Sequence, residues 1–147
     1  MRIINRKNGK QIEVYDIKTS SYKPSNATLT ESVKKIFQAT DHHSRLRHLL
    51  ESQDEQCQFL AKCFIDLFHY SAFHLESIAR SVREVDLAMR WGFGWQQGPF
   101  EIWEDAGSHA ITKQIIHAIQ EKTTMSNAAL PNWLEKLESF YLPSGAW

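Results

Sequence analysis

The densest group of residues able to do chemistry runs Trp91-Gly92-Phe93-Gly94-Trp95-Gln96-Gln97-Gly98-Pro99-Phe100-Glu101. Its glycines invite comparison with a loop that cradles the pyrophosphate of a dinucleotide. That chemistry needs G-x-G-x-x-G directly after a strand and at the mouth of a helix. Here a helical pattern precedes Gly92, and the spacing to Gly98 does not fit the motif. The run reads instead as a sharp helix-loop-helix corner, in which glycine supplies φ values closed to other residues and the aromatic rings clamp the turn. Trp91, Trp95, Trp103, Glu101, Glu104 and Asp105 could line a ligand cleft, but aromatic residues at helical spacing are more often core. Five tryptophans still leave room for an exposed aromatic patch, the mark of a partner surface.

Other chemistries find less support. The seven histidines, His42, His43, His48, His69, His74, His109 and His117, form no H-E-x-x-H and no cysteine-histidine finger spacing. His69 and His74 lie about 500° apart around a helix, a poor geometry for a shared ligand, so surface or core-edge histidines are expected and no metal. No G-x-S-x-G elbow supports acyl transfer. Cys57 and Cys63, about 600° apart on a helix, point to different faces and read as reduced, partly buried thiols.

The elements that would position the corner are mostly helical. Thr28 to Glu31 carries a capping-box pattern, followed by Leu29, Val33, Ile36 and Phe37 on one stripe. A short helix follows from about Ser44 to Leu50. A long one from about Glu55 to Ala79 stacks Phe59, Leu60, Cys63, Phe64, Leu67 and Phe68 on a broad face and continues through Ala72, Phe73 and Leu75, as a central buried helix would. Ser81 to Glu84 repeats the capping pattern, opening a helix that turns Val85, Ala88 and Met89 inward, pairs Asp86 with Arg90 and stops at Gly92. Pro99 restarts a short helix that Gly107 ends, Ser108 caps another carrying Ile111, Ile115, Ile116 and Ile119, and Pro131 opens a last short helix through Trp133, Leu134 and Leu137. Before all this, Arg2-Ile3-Ile4 and Gln11 to Tyr15 around Asn8-Gly9 predict a two-stranded hairpin, and residues 20–27 a linker.

Size and charge set the outer bounds. At 147 residues the chain suits one core. Seventeen basic residues balance seventeen acidic ones, so no net field favours nucleic acid. No apolar run reaches the ~20 residues that span a bilayer, and the first residues lack a signal-peptide pattern, which gives a cytoplasmic expectation.

From Ser81 to Gly107 the chain resembles the carboxy-terminal helical domain of 3-hydroxyacyl-CoA dehydrogenases. The family pattern, D-x-A-M-x-x-G-x-G-x-x-x-G-P-F-E followed by aspartate and often glycine, is matched by Asp86, Ala88, Met89, Gly92, Gly94, Gly98, Pro99, Phe100, Glu101, Asp105 and Gly107. With Val14 to Thr19 upstream and Leu130 to Trp133 downstream, the tryptophan-rich version is similar to large bacterial members that also carry an enoyl-CoA hydratase domain. In those, two such helical domains follow the NAD domain in tandem, and this chain looks like the second. The resemblance implies a mainly α fold, a helical bundle like the 6-phosphogluconate dehydrogenase carboxy-terminal domain. Residues 1–27 would be hairpin or linker, 28–142 the helical domain and 143–147 a tail.

The family's NAD-binding turn, and its catalytic histidine with a partner glutamate, match nothing here. The resemblance therefore implies no catalytic, cofactor-binding or metal residue in this chain, with NAD belonging to the parent enzyme of fatty-acid β-oxidation. Its implied partners are the NAD-binding and first helical domains of that enzyme, with acyl-CoA and a homodimer as further candidates, and neither nucleic acid nor membrane. The rival expectation is a free-standing interaction or acyl-CoA-binding protein that kept the fold without the enzyme.

Overall fold

The computed structural model describes residues 2–6, 9–25, 28–39, 41 and 43–141. Three antiparallel strands, β1 (Arg2–Arg6), β2 (Gly9–Asp16) and β3 (Ser21–Pro24), lie in the order β1-β2-β3. The expected hairpin is thus extended by a third strand, drawn from residues read as linker. Asp16 makes that return tight: its carboxylate accepts from the backbone amides of Lys18 and Thr19 and pairs with Lys23 across the turn. Arg6 pairs with Gly9, so Gly9 already belongs to β2, and the Asn8 half of the expected turn lies outside the described residues.

Among the described residues six helices follow: α1 (Glu31–Gln38), α2 (Arg45–Glu51), α3 (Glu55–Ile78), α4 (Val82–Phe93), α5 (Pro99–Asp105) and α6 (Ser108–Gln120), then a 3-10 turn at Asn132–Lys136. The fold is mainly α. α1 is capped by the Thr30 hydroxyl on the Val33 amide, not by Thr28, because Thr30 is also fixed from α3: its own amide donates to Gln56 and its hydroxyl to Asp54. Asp54 in turn caps α3 through the amides of Gln56 and Cys57.

α3 is the central helix, but its buried face is rotated from the expected one. Cys57, Ala61, Ile65, Phe68, Ala72 and Leu75 turn inward at spacings of three and four, while Phe59, Cys63 and Phe73 are exposed. The helix carries apolar residues on both sides, so composition could not fix which side the neighbours cover. His69 is fully inside rather than at the core edge, its Nε2 2.8 Å from the Ala128 carbonyl oxygen. The main core joins α3 to Phe100 and Trp103 of α5, Ile111 and Ile115 of α6, Leu134 and Phe140. Phe68 stacks on Trp103 at 5.3 Å between centroids. Val33, Leu49, Cys57 and Ala61 form a second cluster beneath α1 and α2. Among the described residues neither cluster includes one from a strand, and Ile3, Ile12, Val14 and Tyr22 of the sheet are exposed.

Candidate functional site

Val82, Val85, Asp86 and Met89 recur at three- and four-residue spacing on α4, so a carboxylate sits within the stripe that the helix turns inward. Asp86 is the only buried residue of that helix; Ala88, expected inside, is exposed, and Met89 only half-buried. Burial also removes Asp86 from the expected pairing with Arg90, which reaches instead to Glu101 at 3.0 Å.

The Asp86 carboxylate meets the first turn of α5. Its two oxygens accept from the backbone amides of Phe100 and Glu101, each at 2.9 Å. The N-cap of α5 is Gly98, which has no side chain to perform this task, so Asp86 caps the helix from a different one. Glu101 reaches back to accept from the Gly98 amide at 2.7 Å, and Pro99 at the first helical position has no amide to satisfy. Gly98 is required for another reason: a β-carbon there would come closer than 3.0 Å to Asp86.

The third donor to Asp86 is the Tyr141 hydroxyl, 55 residues away in sequence. Burial is the largest influence on Asp86 and pushes its pKa up to about 6; the bonds from Tyr141, Phe100 and Glu101 oppose the rise, and the charge of Glu101 adds to it. The Tyr141 hydroxyl is pushed up likewise, by burial first and then by its bond to the Asp86 carboxylate.

The remaining acids of the corner are also engaged. Glu104 accepts from the Phe140 amide at 3.0 Å and the Ser139 hydroxyl at 2.5 Å, fastening the C-terminal segment. Asp105 lies 2.6 Å from His43 Nδ1 and accepts from the Gln97 amide group. Sequence reasoning misses Tyr141, His43 and Gln97 as partners of these acids, and no local spacing marks them.

The motif residues therefore divide. Asp86, Gly98, Pro99, Phe100 and Glu101 converge on one junction, and Asp105 closes the far end of α5. α4 does not stop at Gly92; it continues through Phe93 to Gly94, whose φ of 69° is the left-handed turn that ends it. Gly107, at φ 97°, sets the entry to α6 in place of a Ser108 cap. The expected aromatic clamp is made by Phe100 and Trp103, whereas Trp91 is 80% and Phe93 75% exposed. Trp91 lies off the inward stripe of α4, and Phe93, in the last turn, lies beyond its last half-buried member, Met89.

A dinucleotide phosphate does not fit this corner. The α5 amides that would receive it already donate to Asp86, and Asp86 fills the space beside Gly98. Among the described residues no group of three or more histidine, cysteine, aspartate or glutamate side chains could hold a metal ion, and no helix is long and apolar enough to cross a membrane.

The chain is 29% identical over 142 residues to a Bacillus subtilis protein named "Probable 3-hydroxyacyl-CoA dehydrogenase", with 93% of this chain and 17% of that protein covered. It is 26% identical over 132 residues to a Rickettsia prowazekii protein named "Putative fatty acid oxidation complex trifunctional enzyme", covering 89% of this chain and 16% of that one. The chain thus spans about a sixth of the length of these relatives. No solved structure matches it. Residues 59–140, more than half of the chain and the whole of the Asp86 junction but Tyr141, match the family model "3-hydroxyacyl-CoA dehydrogenase, C-terminal domain", and the chain belongs to that family.

Proposed function

We propose that this chain is a non-catalytic helical module of a 3-hydroxyacyl-CoA dehydrogenase, the second of two tandem helical domains in an enzyme of fatty-acid β-oxidation. It contributes domain packing and one side of the acyl-CoA cleft, while NAD binds elsewhere in the parent enzyme. The observation that carries this reading is the fate of the acids at and around the corner. Asp86, Glu101, Glu104 and Asp105 each bind a backbone amide or a neighbouring side chain that holds the fold together. The family's proton transfer at the substrate hydroxyl has no counterpart among them. Trp91 and Phe93, projecting from the end of α4, supply an apolar edge for the neighbouring domains to cover.

The deciding experiment follows NADH formation from a 3-hydroxyacyl-CoA with this chain alone, with the NAD-binding portion of a matching enzyme alone, and with the two mixed. Activity raised only in the mixture supports the completing module. Activity of this chain alone would overturn it. Silence of the mixture, with the partner portion folded, favours the rival reading of a free-standing interaction or acyl-CoA-binding protein.

A further inference from the structure

Asp66, Tyr70 and Phe73 follow one another on α3 at four- and three-residue spacing and so share a face of the helix. The core leaves that face uncovered: both rings are exposed and Asp66 is half-buried. The segment after α6, residues 123–128, closes one side of it. Asp66 Oδ1 accepts from the Met125 amide at 2.8 Å, and His69 donates from Nε2 to the Ala128 carbonyl oxygen at the same distance. Between helix and segment runs a groove walled by Leu67, Tyr70, Phe73, His74 and Met125, with Asp66 in its lining.

The rings of that wall are grouped, His74 standing 4.4 Å from Tyr70 and 5.0 Å from Phe73 between centroids. Aromatic faces carry partial negative charge and attract a cation placed over them. Asp66 adds a formal negative charge. No lysine or arginine lines the groove, and among the described residues no basic side chain lies within 4.0 Å of the Asp66 carboxylate, Lys62 one turn before it included. A carboxylate partly out of water, beside apolar walls and without a counter-charge, favours a positive guest.

The hydrogen-bonding of the wall says which cation fits. A metal ion needs several oxygen ligands, and among the described residues no cluster of acids or histidines gathers here. A primary ammonium or a guanidinium brings several N–H donors that need acceptors. Those near the groove are mostly spent: the Ala128 carbonyl holds His69, the Ser126 carbonyl holds the Thr124 hydroxyl, and the Ser126 hydroxyl oxygen holds the Ala128 amide. A peralkylated ammonium ion brings no N–H at all, and its methyl groups suit rings and aliphatic side chains.

We propose that this groove binds a peralkylated ammonium group, its methyls against Tyr70, Phe73 and Leu67 and its charge toward Asp66. The inference uses only the groove wall and does not rest on the module reading above.

The test is titration of the isotopically labelled full chain with choline chloride, followed by amide and side-chain NMR shifts. Saturable shifts are expected at Tyr70, Phe73, His74 and the Met125 methyl. The neutral tert-butyl analogue of choline, 3,3-dimethyl-1-butanol, has the same shape without the charge and should bind about tenfold more weakly. Asp66→Asn, which keeps an oxygen for the Met125 amide, should weaken choline binding to a similar degree, and Tyr70→Leu should weaken it clearly. Phe59→Leu, exposed on the same helix outside the groove, should leave it unchanged. If Asp66→Asn displaces the 123–128 segment, the exposed ring variants Tyr70→Leu and Phe73→Leu decide the question alone. No saturable shift, or shifts mapping elsewhere, would overturn the site. Equal binding of the tert-butyl analogue would overturn the role of charge, and ethanolamine binding as tightly as choline would overturn the assignment to a peralkylated ion. With choline bound, sedimentation of the chain with phosphatidylcholine vesicles supports the site and makes a lipid headgroup the source of the ion; its failure to sediment makes the source a soluble molecule.

Discussion

Gly98 and Asp86 approach so closely that a β-carbon on Gly98 would lie within 3.0 Å of the Cα, Cβ and Oδ1 atoms of Asp86. The same closeness lets the Asp86 carboxylate reach the Phe100 and Glu101 amides. Absence of a side chain at one residue is thus the condition for capping by the other. Gly98→Ala should lower stability by about 2–4 kcal/mol, since the clash is with backbone and a pinned carboxylate, neither of which can give way. Gly92 provides the contrast: it lies inside α4, and a β-carbon added there would meet nothing within 4 Å, so Gly92→Ala should be neutral or stabilising by up to ~1 kcal/mol. Chemical denaturation of the two variants checks both.

Gly94 tests a different requirement. Its positive φ ends α4, and there is open space around it, so the penalty for a side chain is conformational and not steric crowding by neighbours. Gly94→Val is expected to cost ~1–2 kcal/mol and Gly94→Asn clearly less, because asparagine tolerates the left-handed region. Unchanged thermal stability of the valine variant would contradict this account.

Ionisation of Asp86 should leave a signature in stability against pH. Its folded pKa, about 6, lies above the unfolded value near 3.8, so between these pH values the folded state binds more protons than the unfolded one. Stability from this group is complete below the lower value and is lost as pH rises through the upper one, a fall of about 3 kcal/mol in magnitude. Asp86→Asn should flatten that part of the curve while lowering stability throughout, because an asparagine amide cannot accept from both α5 amides. Denaturation midpoints from pH 4 to pH 7 for both proteins provide the comparison.

Tyr141 opposes the rise in the Asp86 pKa through its hydroxyl bond. Tyr141→Phe should therefore move the Asp86 titration to higher pH and cost about 1–2 kcal/mol at neutral pH, where the carboxylate loses a donor. The carboxyl carbon shift of labelled Asp86 reports the first effect and denaturation the second.

Trp91→Ser should leave the stability of the isolated chain within ~0.5 kcal/mol, since the side chain is almost wholly in solvent. Under the proposed function the same change should reduce the activity recovered on mixing with the NAD-binding portion. A large loss of stability would show that the ring serves this chain's own fold.

Much of the helical order was legible because it is local. Ser81 does cap α4 through the Glu84 amide, Pro99 does open α5, and α3 spans nearly the expected range. Turn and cap chemistry acts over three or four residues, and a sequence displays it directly. The spacing of Asp86 among Val82, Val85 and Met89 also carries a sign of its burial, an acid within an apolar stripe, although the expectation is an i,i+4 pair with Arg90.

What the sequence by itself determined was a mainly helical chain with a glycine-proline corner of fixed spacing, and with it the family. Tertiary structure decided which side of α3 is inside, that residues 21–24 add a strand, and that Asp86 caps α5 in place of its own N-cap. Only the folded chain brings Tyr141 to Asp86, Glu104 to Phe140 and His43 to Asp105. These pairings depend on how helices pack across long stretches of chain, and packing is settled by shape and burial shared among all the elements, not by any periodicity within one of them.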